Sequence, residues 1–239
     1  MNRAHTIPFL DESAISGGEE ALRRWKWVWG VLLTGLMLTP IAIFPPFLAA
    51  EAHSGGETIV MIRHGEKPSR GLGQLSCRGL NRALALAPLL IDRYGKPDAI
   101  YAPDPAVRIQ ENNAGPAYSY VRALATIEPT AIRLGMPVNA QIGFDQIEEL
   151  RRALLQPAYA HSLIFVAWEH GNLHRFAKQL LQDYGNGASQ LPPWRGWDYG
   201  TVYVFHVTRP ENGGTPHVSL SIQQENLGGK LTSTCPGPD

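Results

Sequence analysis

Short apolar runs alternate along the chain with segments in which apolar residues recur at helical spacing. Continuous apolar runs are typical of strands that are buried on both faces, and alternation of apolar and polar residues is typical of strands near a sheet edge. We predict strands in five places: TIVMIRHG (58–65), DAIYAP (98–103), SLIFVAWEHG (162–171), GTVYVFHV (200–207) and HVSLSIQQE (217–225). The last two alternate, so we expect them near an edge of the sheet.

Four segments show the 3.6-residue period of amphipathic helices. The first closes near Gly95 and carries an apolar stripe of Leu80, Leu84, Ala87 and Leu90 or Ile91. The second, residues 120–135, is predicted to be a helix that is interrupted or restarted near Pro129, because proline lacks the amide hydrogen that a helix interior uses. The other two helical segments are residues 147–155 and 172–185.

The order of these elements predicts an α/β protein. Strands separated by helices are the arrangement of a three-layer α/β/α sandwich with a mainly parallel central sheet. In such folds, ligands bind at the carboxyl ends of the strands. The residues that directly follow each apolar run are therefore the first candidates for function.

Two of the predicted strands end in the same way. The strand at 58–65 delivers Arg63 and His64, and the strand at 162–171 delivers Glu169 and His170, with a glycine after each histidine. The two histidines are more than a hundred residues apart in the sequence. Neighbouring strand ends of one sheet can nevertheless bring such side chains within contact distance, and we expect a shared site there.

The N-terminal part of the chain has a different character. Arg23, Arg24 and Lys26 precede a run from Trp27 to Ala50 without charged residues, which is the pattern of an export signal. The run is long enough to span a bilayer if it is not cleaved. Three prolines, at positions 40, 45 and 46, favour a shorter signal core.

This pattern divides the chain into three parts. Residues 1–27 are predicted to be a cytoplasmic N-terminal region, residues 28–52 a signal peptide or membrane anchor, and residues 53–239 one domain. We expect the domain to be exported, either periplasmic or secreted, or to be anchored to the membrane through residues 28–48.

Composition narrows the function further. The 239 residues include 21 Lys and Arg and 21 Asp and Glu, and this lack of a basic excess argues against a nucleic-acid-binding protein. Both cysteines, Cys77 and Cys235, lie in the part predicted to be exported, where thiols oxidise. They form either a disulfide, which would tie down the C-terminal tail, or two free thiols. Two cysteines at this spacing do not indicate a zinc site.

The residues at the two strand ends suit phosphate chemistry. A neutral imidazole is a nucleophile that can form a covalent phosphoenzyme. Arginine suits phosphate because its planar guanidinium donates two parallel hydrogen bonds and keeps its charge. A phosphoryl group in transfer needs positive charge around its oxygens and a nucleophile in line with the leaving group. The pattern therefore favours a small phosphorylated substrate.

Four motifs, taken in order, resemble those of the histidine phosphatase superfamily, whose fold is phosphoglycerate mutase-like. They are RHGEKP (63–68), LSCRGLNRA (75–83), YVRALAT (120–126) and WEHGNL (168–173). The resemblance extends over about residues 57–227. RHG alone is too short to be specific, but a second arginine and a second histidine in the right order make the combined pattern a strong one.

The resemblance implies a role for each of four residues. His64 would be the phosphorylated nucleophile, Arg63 and Arg122 would hold the phosphate, and His170 would bind it and stabilise the transferring group. The family needs no metal ion, so we expect neither a metal nor another cofactor. The implied function is an exported phosphatase that hydrolyses a phosphomonoester. The alternatives are a catalytically silent phosphate-binding module and a phosphomutase of the same fold.

The general acid that protonates the leaving oxygen is less clear. One branch of the family uses a glutamate between the second arginine and the second histidine, and another uses an aspartate directly after the second histidine, where this chain has Gly171. We predict Glu169, which directly precedes His170. The alternatives in the intervening segment are Asp145, Glu148 and Glu149.

Two further features lie close to the motifs. His174 follows His170 by four residues, a spacing that zinc ligands use, but we interpret His174 as a solvated or supporting residue. Glu66 and Lys67 follow the nucleophile and are interpreted as a solvated pair.

The aromatic residues of the late segment 192–205 could form core or a substrate mouth. We assign Tyr203 and Phe205 to the core. Trp194 and Trp197 are left open between the two.

Overall fold

The computed structural model describes residues 56–111 and 115–237. All of them belong to one compact unit of the chain, Leu48–Asp239. The predicted signal or anchor, residues 28–52, lies outside the described residues. Within the described ranges, no helix is both long enough and apolar enough to cross a membrane.

Six strands form one central sheet in the order β5-β2-β6-β1-β7-β8. They are β1 (Glu57–Arg63), β2 (Ala99–Pro103), β5 (Asn139–Ile142), β6 (Leu163–Trp168), β7 (Thr201–Thr208) and β8 (His217–Gln224). The pairings from β5 through β2 and β6 to β1 are parallel, whereas β7 is antiparallel to both of its neighbours. A separate two-stranded sheet pairs β3 (Arg108–Gln110) with β4 (Ala117–Ser119).

Four helices cover the two faces of the central sheet. They are α1 (Cys77–Tyr94), α2 (Arg122–Leu134), α3 (Ile147–Leu154) and α4 (His170–Tyr184). One core cluster joins α1 and α2 to alternate residues of β1 such as Val60 and Ile62, and the other joins α3 and α4 to Ile59 and Met61. The predicted three-layer α/β/α sandwich with a mainly parallel sheet is therefore confirmed.

Helix α1 buries a different stripe from the predicted one. Ala87 and Leu90 are buried as expected, but Leu80 and Leu84 are 37% and 47% exposed. The buried face instead includes the small residues Gly79 and Ala83 together with Arg82 and Leu86. On this face Arg82 pairs with Glu66 and Glu225, an interaction that a count of apolar residues does not register.

Helix α2 was also predicted incorrectly in one respect. It runs without interruption from Arg122 to Leu134, with Pro129 inside it. Residues on both sides of the proline, Thr126, Ile127, Thr130 and Ala131, are buried. Burial of one continuous face on either side of Pro129 offsets the hydrogen bond that proline cannot make.

Four aromatic residues of segment 192–205 divide into core residues and one surface residue. Tyr203 and Phe205 are buried in the core, as predicted. Trp194 is 8% exposed and packs with its ring centroid 4.4 Å from that of Tyr203, whereas Trp197 is 80% exposed. Trp194 is thus a core residue, and Trp197 stands on the surface.

Candidate active site

The register of the sheet brings the two predicted strand ends together. In the parallel pairing of β1 with β6, Arg63 lies opposite Trp168. The next residues, His64 and Glu169, therefore leave the sheet at the same edge, and the backbone amide of His64 donates to the carbonyl oxygen of Trp168 at 2.9 Å. His170 follows as the first residue of α4.

His64 is buried, with 1% of its surface exposed. Its Nδ1 lies 2.8 Å from the carbonyl oxygen of Gly65, which assigns the ring proton to Nδ1. Nε2 is then an acceptor, and Nε of Arg122 donates to it at 3.2 Å. Burial, followed by the charge of Arg122, lowers the pKa of His64 well below its usual value. The ring is consequently neutral, with its lone pair on Nε2.

Arg122 begins α2 and is held from several sides. Its guanidinium carbon lies 4.5 Å from the centroid of the Tyr120 ring, and its Nη1 forms an ion pair with Glu111. One turn later, the hydroxyl of Thr126 donates to the carbonyl oxygen of Arg122 at 2.7 Å and accepts from the amide of Gly65 at 2.9 Å. Thr126 therefore fixes the start of α2 against the loop that carries His64.

Arg63 is fixed by the loop that precedes β7. Its Nη1 donates to the carbonyl oxygens of Gly196 at 2.7 Å and Asp198 at 2.9 Å, and the ring centroid of Tyr199 lies 3.9 Å from its guanidinium carbon. The carboxylate of Asp198 accepts from the amide of Gly200 at 2.9 Å, which holds the loop in place. Nε of Arg63 is buried and has no partner among the described residues, so it is available to an anion.

Glu169 caps the N-terminus of α4. Its Oε2 accepts from the amide of Asn172 at 2.8 Å, and its Oε1 lies 2.5 Å from Nδ1 of His170, although not at a hydrogen-bonding angle. Burial alone would raise the pKa of Glu169, but His170 and the amides of Gly171 and Asn172 outweigh it and hold the pKa at about 2. Glu169 is therefore an ionised carboxylate at any ordinary pH.

His170 turns its other ring nitrogen away from Glu169. A Cβ atom placed on Gly196 would lie 3.8 Å from Nε2 of His170, so that nitrogen faces the same loop that holds Arg63. Glu169 also acts electrostatically on Arg63 and His64. The structure thus gathers Arg63, His64, Arg122 and Glu169 at one edge of the sheet, with His170 beside them.

The alternative acids lie elsewhere. Glu148 and Glu149 are about half exposed on α3 and pair with Arg151 and Arg152 of the same helix. Asp145 is exposed just ahead of that helix. None of the three forms an ion pair with Arg63 or Arg122 in the described ranges.

Two of the charged residues at the site have partners that the sequence did not reveal. Glu66 and Lys67 do not pair with each other. Lys67 instead contacts Glu111 at 2.6 Å, and Glu66 accepts from Arg82 at 2.8 Å. Glu111 sits at the end of β3, in a segment without a motif, and nothing in the local sequence pattern distinguishes it.

A buried ionic network supports the loop after His64. Arg82 joins Glu66 to Glu225, and Arg78 donates to Glu66 at 3.1 Å. Burial raises the pKa of Glu225 to about 7, although Arg82 opposes the shift. A cavity of about 470 Å³ opens over this network, with Trp197 and Tyr199 on its wall.

His174 lies on α4, one turn after His170. Its Nδ1 is buried without a hydrogen-bond partner among the described residues. Burial lowers its pKa, and the charges of Lys178 and His170 act in the same direction. In the part of the chain that the structure describes, no three His, Cys, Asp or Glu residues are grouped to hold a metal ion.

No protein-family model matches the chain. No curated protein matches it either.

Several solved structures are similar to the chain. Mycobacterial glucosyl-3-phosphoglycerate phosphatase aligns at 15% identity and a TM-score of 0.49, over 70% of this chain and 98% of the other. Phosphoglycerate mutase from Plasmodium falciparum aligns at 16% identity and a TM-score of 0.43, over 77% and 94%. Phosphoserine phosphatase from Entamoeba histolytica aligns at 15% identity and a TM-score of 0.41, over 71% and 98%.

Proposed function

We propose that the chain is a phosphatase that hydrolyses a small phosphomonoester through a phosphohistidine at Nε2 of His64. The observation that carries this proposal is the pairing of a buried, neutral imidazole with a guanidinium at its free nitrogen: Nε of Arg122 lies 3.2 Å from Nε2 of His64. A cation at that point would stabilise the equatorial oxygens of a phosphoryl group during attack.

In the first step, the phosphoryl group takes the space beside Nε2 of His64. Arg122 moves its Nε hydrogen bond from the imidazole to a phosphate oxygen, and Arg63 offers its unpartnered Nε. Nε2 forms the bond to phosphorus as the bond between phosphorus and the ester oxygen breaks, and the ester oxygen takes up a proton from an acid of the site. Nδ1 keeps its proton and donates it in a hydrogen bond to the carbonyl oxygen of Gly65, which stabilises the positive ring.

In the second step, water attacks the phosphohistidine. The bond between phosphorus and Nε2 breaks, inorganic phosphate forms, and His64 returns to its neutral state. Arg63 and Arg122 supply the positive charge for both steps and His170 adds a hydrogen bond, so the proposed mechanism uses no metal ion. Glu169 fits a supporting role, since its carboxylate lies against Nδ1 of His170 and so favours the tautomer with the proton on that nitrogen.

Glu169 as the general acid stays a prediction. Its pKa of about 2 leaves it without a proton to donate at the pH where phosphatases are assayed. This is a physical reason to seek the acid among other carboxylates of the site.

We further propose that the domain works outside the cytoplasm. Cys77 and Cys235 form a disulfide in the structure, which suits an oxidising compartment. The apolar run of residues 28–52 would supply the export signal or the anchor.

The proposed function predicts that hydrolysis of p-nitrophenyl phosphate depends on His64. We expect His64→Ala and His64→Asn to lower kcat by at least about 10³-fold, because both remove the nucleophile. His217→Ala changes an exposed histidine on β8 and should keep the full rate. Mass spectrometry after a rapid quench at neutral pH should find phosphate on His64 of the wild type.

Two results would contradict the phosphatase proposal. Phosphate binding without turnover of any tested ester would support the catalytically silent module. Transfer of the phosphoryl group to a second alcohol in preference to water would support a mutase. Thermal unfolding of each variant shows whether a lost rate reflects lost folding.

A further inference from the structure

The proposed reaction needs a proton donor, and one carboxylate is placed for it. Of the acidic side chains in the described ranges, Glu111 is the one that forms an ion pair with either of the arginines proposed to hold the phosphate. It is 8% exposed, so its carboxyl group is withdrawn from bulk water. One of its oxygens contacts Arg122, and the other lies 2.6 Å from Nζ of Lys67.

The guanidinium of Arg122 lies between Glu111 and the nucleophile. Its Nε points to Nε2 of His64, whereas its Nη1 points to Glu111. Neither of these two contacts uses the third nitrogen, Nη2. A phosphoryl group bound at Nη2 would therefore lie near both the attacking imidazole and the Glu111 carboxyl group.

Glu111 is fixed in this position by the loop that follows the nucleophile. Gly71 has a φ of +76°, and a Cβ atom there would lie 2.2 Å from Cγ of Glu111. Lys67, from the same loop, holds the outer oxygen. The loop that follows His64 therefore also holds the side chain of Glu111 in place.

Binding of substrate would change the protonation of this carboxyl group. Burial acts to raise the pKa of Glu111, but Lys67 and Arg122, the two charged groups that face it, hold the pKa below its usual value in the free protein. A phosphate dianion would engage Arg122 and place negative charge beside the carboxylate, and both changes favour uptake of a proton. The acid would then form only when a substrate is present.

We propose that Glu111 is the general acid of the first step and the general base of the second, an inference that rests on the proposed phosphatase function. In the first step, the bond between phosphorus and the ester oxygen breaks, and that oxygen takes the proton of Glu111. In the second step, the Glu111 carboxylate takes a proton from water as the water oxygen bonds to phosphorus. The proton balance closes over the two steps, with water as the second substrate.

The test compares two esters that differ in their need for a proton. The leaving group of p-nitrophenyl phosphate departs readily as an anion, whereas the alkoxide of glycerol phosphate needs protonation. For Glu111→Gln, kcat/KM should fall by about 10² to 10⁴-fold on glycerol phosphate and by less than about 10-fold on p-nitrophenyl phosphate. Glu111→Asp keeps a carboxyl group and should recover part of the lost rate.

Two matched variants complete the design. Glu169→Gln should lower kcat/KM on both esters by the same factor, because it alters the support of His170 and not the donated proton. Glu128→Gln replaces an exposed glutamate on the same helix as Arg122 and should leave kcat/KM on both esters unchanged. Thermal unfolding of all variants separates loss of folding from loss of chemistry.

Each outcome decides a different question. Equal loss on both esters in Glu111→Gln would overturn the acid role and leave Glu111 as a residue that positions Arg122. A loss confined to glycerol phosphate in Glu169→Gln would assign the acid to Glu169. Tighter inhibition by inorganic phosphate with unchanged kcat/KM in Glu111→Gln would show that the carboxylate only competes for Arg122. If the wild type and Glu128→Gln hydrolyse neither ester, the proposed function fails, and the inference fails with it.

Discussion

Two buried carboxylates outside the proposed chemistry govern how the fold responds to pH. Glu57, at the start of β1, has no exposed surface and faces Arg209 at 2.5 Å, and Glu225 is 1% exposed beside Arg82. Burial raises the pKa of each to about 7, and the facing arginine offsets only part of the shift. Both groups therefore bind a proton more tightly in the folded state than in the unfolded chain.

This shift predicts a fall in stability with rising pH. A carboxyl group with a folded-state pKa of about 7 and an unfolded value of 4.5 contributes stability that is fully present below pH 4.5 and is lost as the pH rises to about 7. For Glu57 the loss should be roughly 3 kcal/mol, at about 1.4 kcal/mol per pKa unit. Urea unfolding at a series of pH values should show a shallower decline in Glu57→Gln than in the wild type.

In Glu57→Gln, Glu225 still loses its proton over this pH range, so the fall in stability with rising pH should be reduced and not abolished. Glu128→Gln, which alters an exposed carboxylate, should follow the wild-type curve. Identical curves for Glu57→Gln and the wild type between pH 4.5 and 7.5 would contradict the assigned shift.

At the scale of elements, the N-terminus of α1 joins the loop that follows His64 to the C-terminal tail. Ser76 caps the helix and its amide donates to the carbonyl oxygen of Glu66 at 2.8 Å. On the other side, Asn81 donates to the carbonyl oxygens of Thr232 at 3.0 Å and Thr234 at 2.8 Å. Next to the cap, Cys77 is bonded to Cys235, so one helix end holds both segments.

Removal of this disulfide should lower stability more than activity. The bond joins residues 158 positions apart, and loop-closure entropy predicts that Cys77→Ala with Cys235→Ala costs about 3 to 5 kcal/mol. Turnover of p-nitrophenyl phosphate well below the melting temperature should persist, because the disulfide is not among the groups proposed to hold the phosphate. Urea unfolding and an assay at low temperature measure the two effects.

Reduction provides the control for the disulfide. Dithiothreitol should destabilise the wild type to the level of the double variant and leave the double variant unchanged. A double variant as stable as the oxidised wild type would show that the hydrogen bonds of Asn81 hold the tail without the disulfide.

At the scale of the whole molecule, the order of strands in the sheet decides which strand ends lie side by side. Strands β1 and β6 are neighbours although α1, α2 and α3 lie between them in the sequence. The arginine that opens α2 and the loop before β7 converge on the same edge. The site is therefore assembled from four separate segments, each fixed by packing against the sheet.

Export of the whole chain makes a separate prediction about its N-terminus. In a Gram-negative host, the full chain should reach the envelope, where alkylation finds Cys77 and Cys235 oxidised. A chain without residues 1–52 should stay in the cytoplasm with both thiols reduced, because the signal is missing. Mass spectrometry of the mature N-terminus distinguishes cleavage from a retained anchor. Equal export of the shortened chain would contradict the assignment of residues 28–52.

Much of the fold followed from local patterns. Apolar runs located β1, β2 and β6, and alternation located β7 and β8, because burial on one or two faces leaves a direct record in the order of residues. The local patterns gave wrong predictions for two helices. On α1, the charged Arg82 is buried whereas Leu80 and Leu84 are exposed, and on α2 the helix continues through Pro129, with buried residues on both sides of the proline.

Local patterns in the sequence were enough to place Arg63 and His64 at the end of one strand, to place Glu169 and His170 directly after another, and to predict layers of helices around a sheet. The contact of Glu111 with Arg122, the pairing of Glu66 with Arg82 and the pKa of about 2 for Glu169 became visible only in the folded chain. The difference lies in the distance along the chain over which each property is set. Periodicity and strand ends are properties of consecutive residues, whereas ion pairs and pKa values depend on charges that meet only after distant segments have packed.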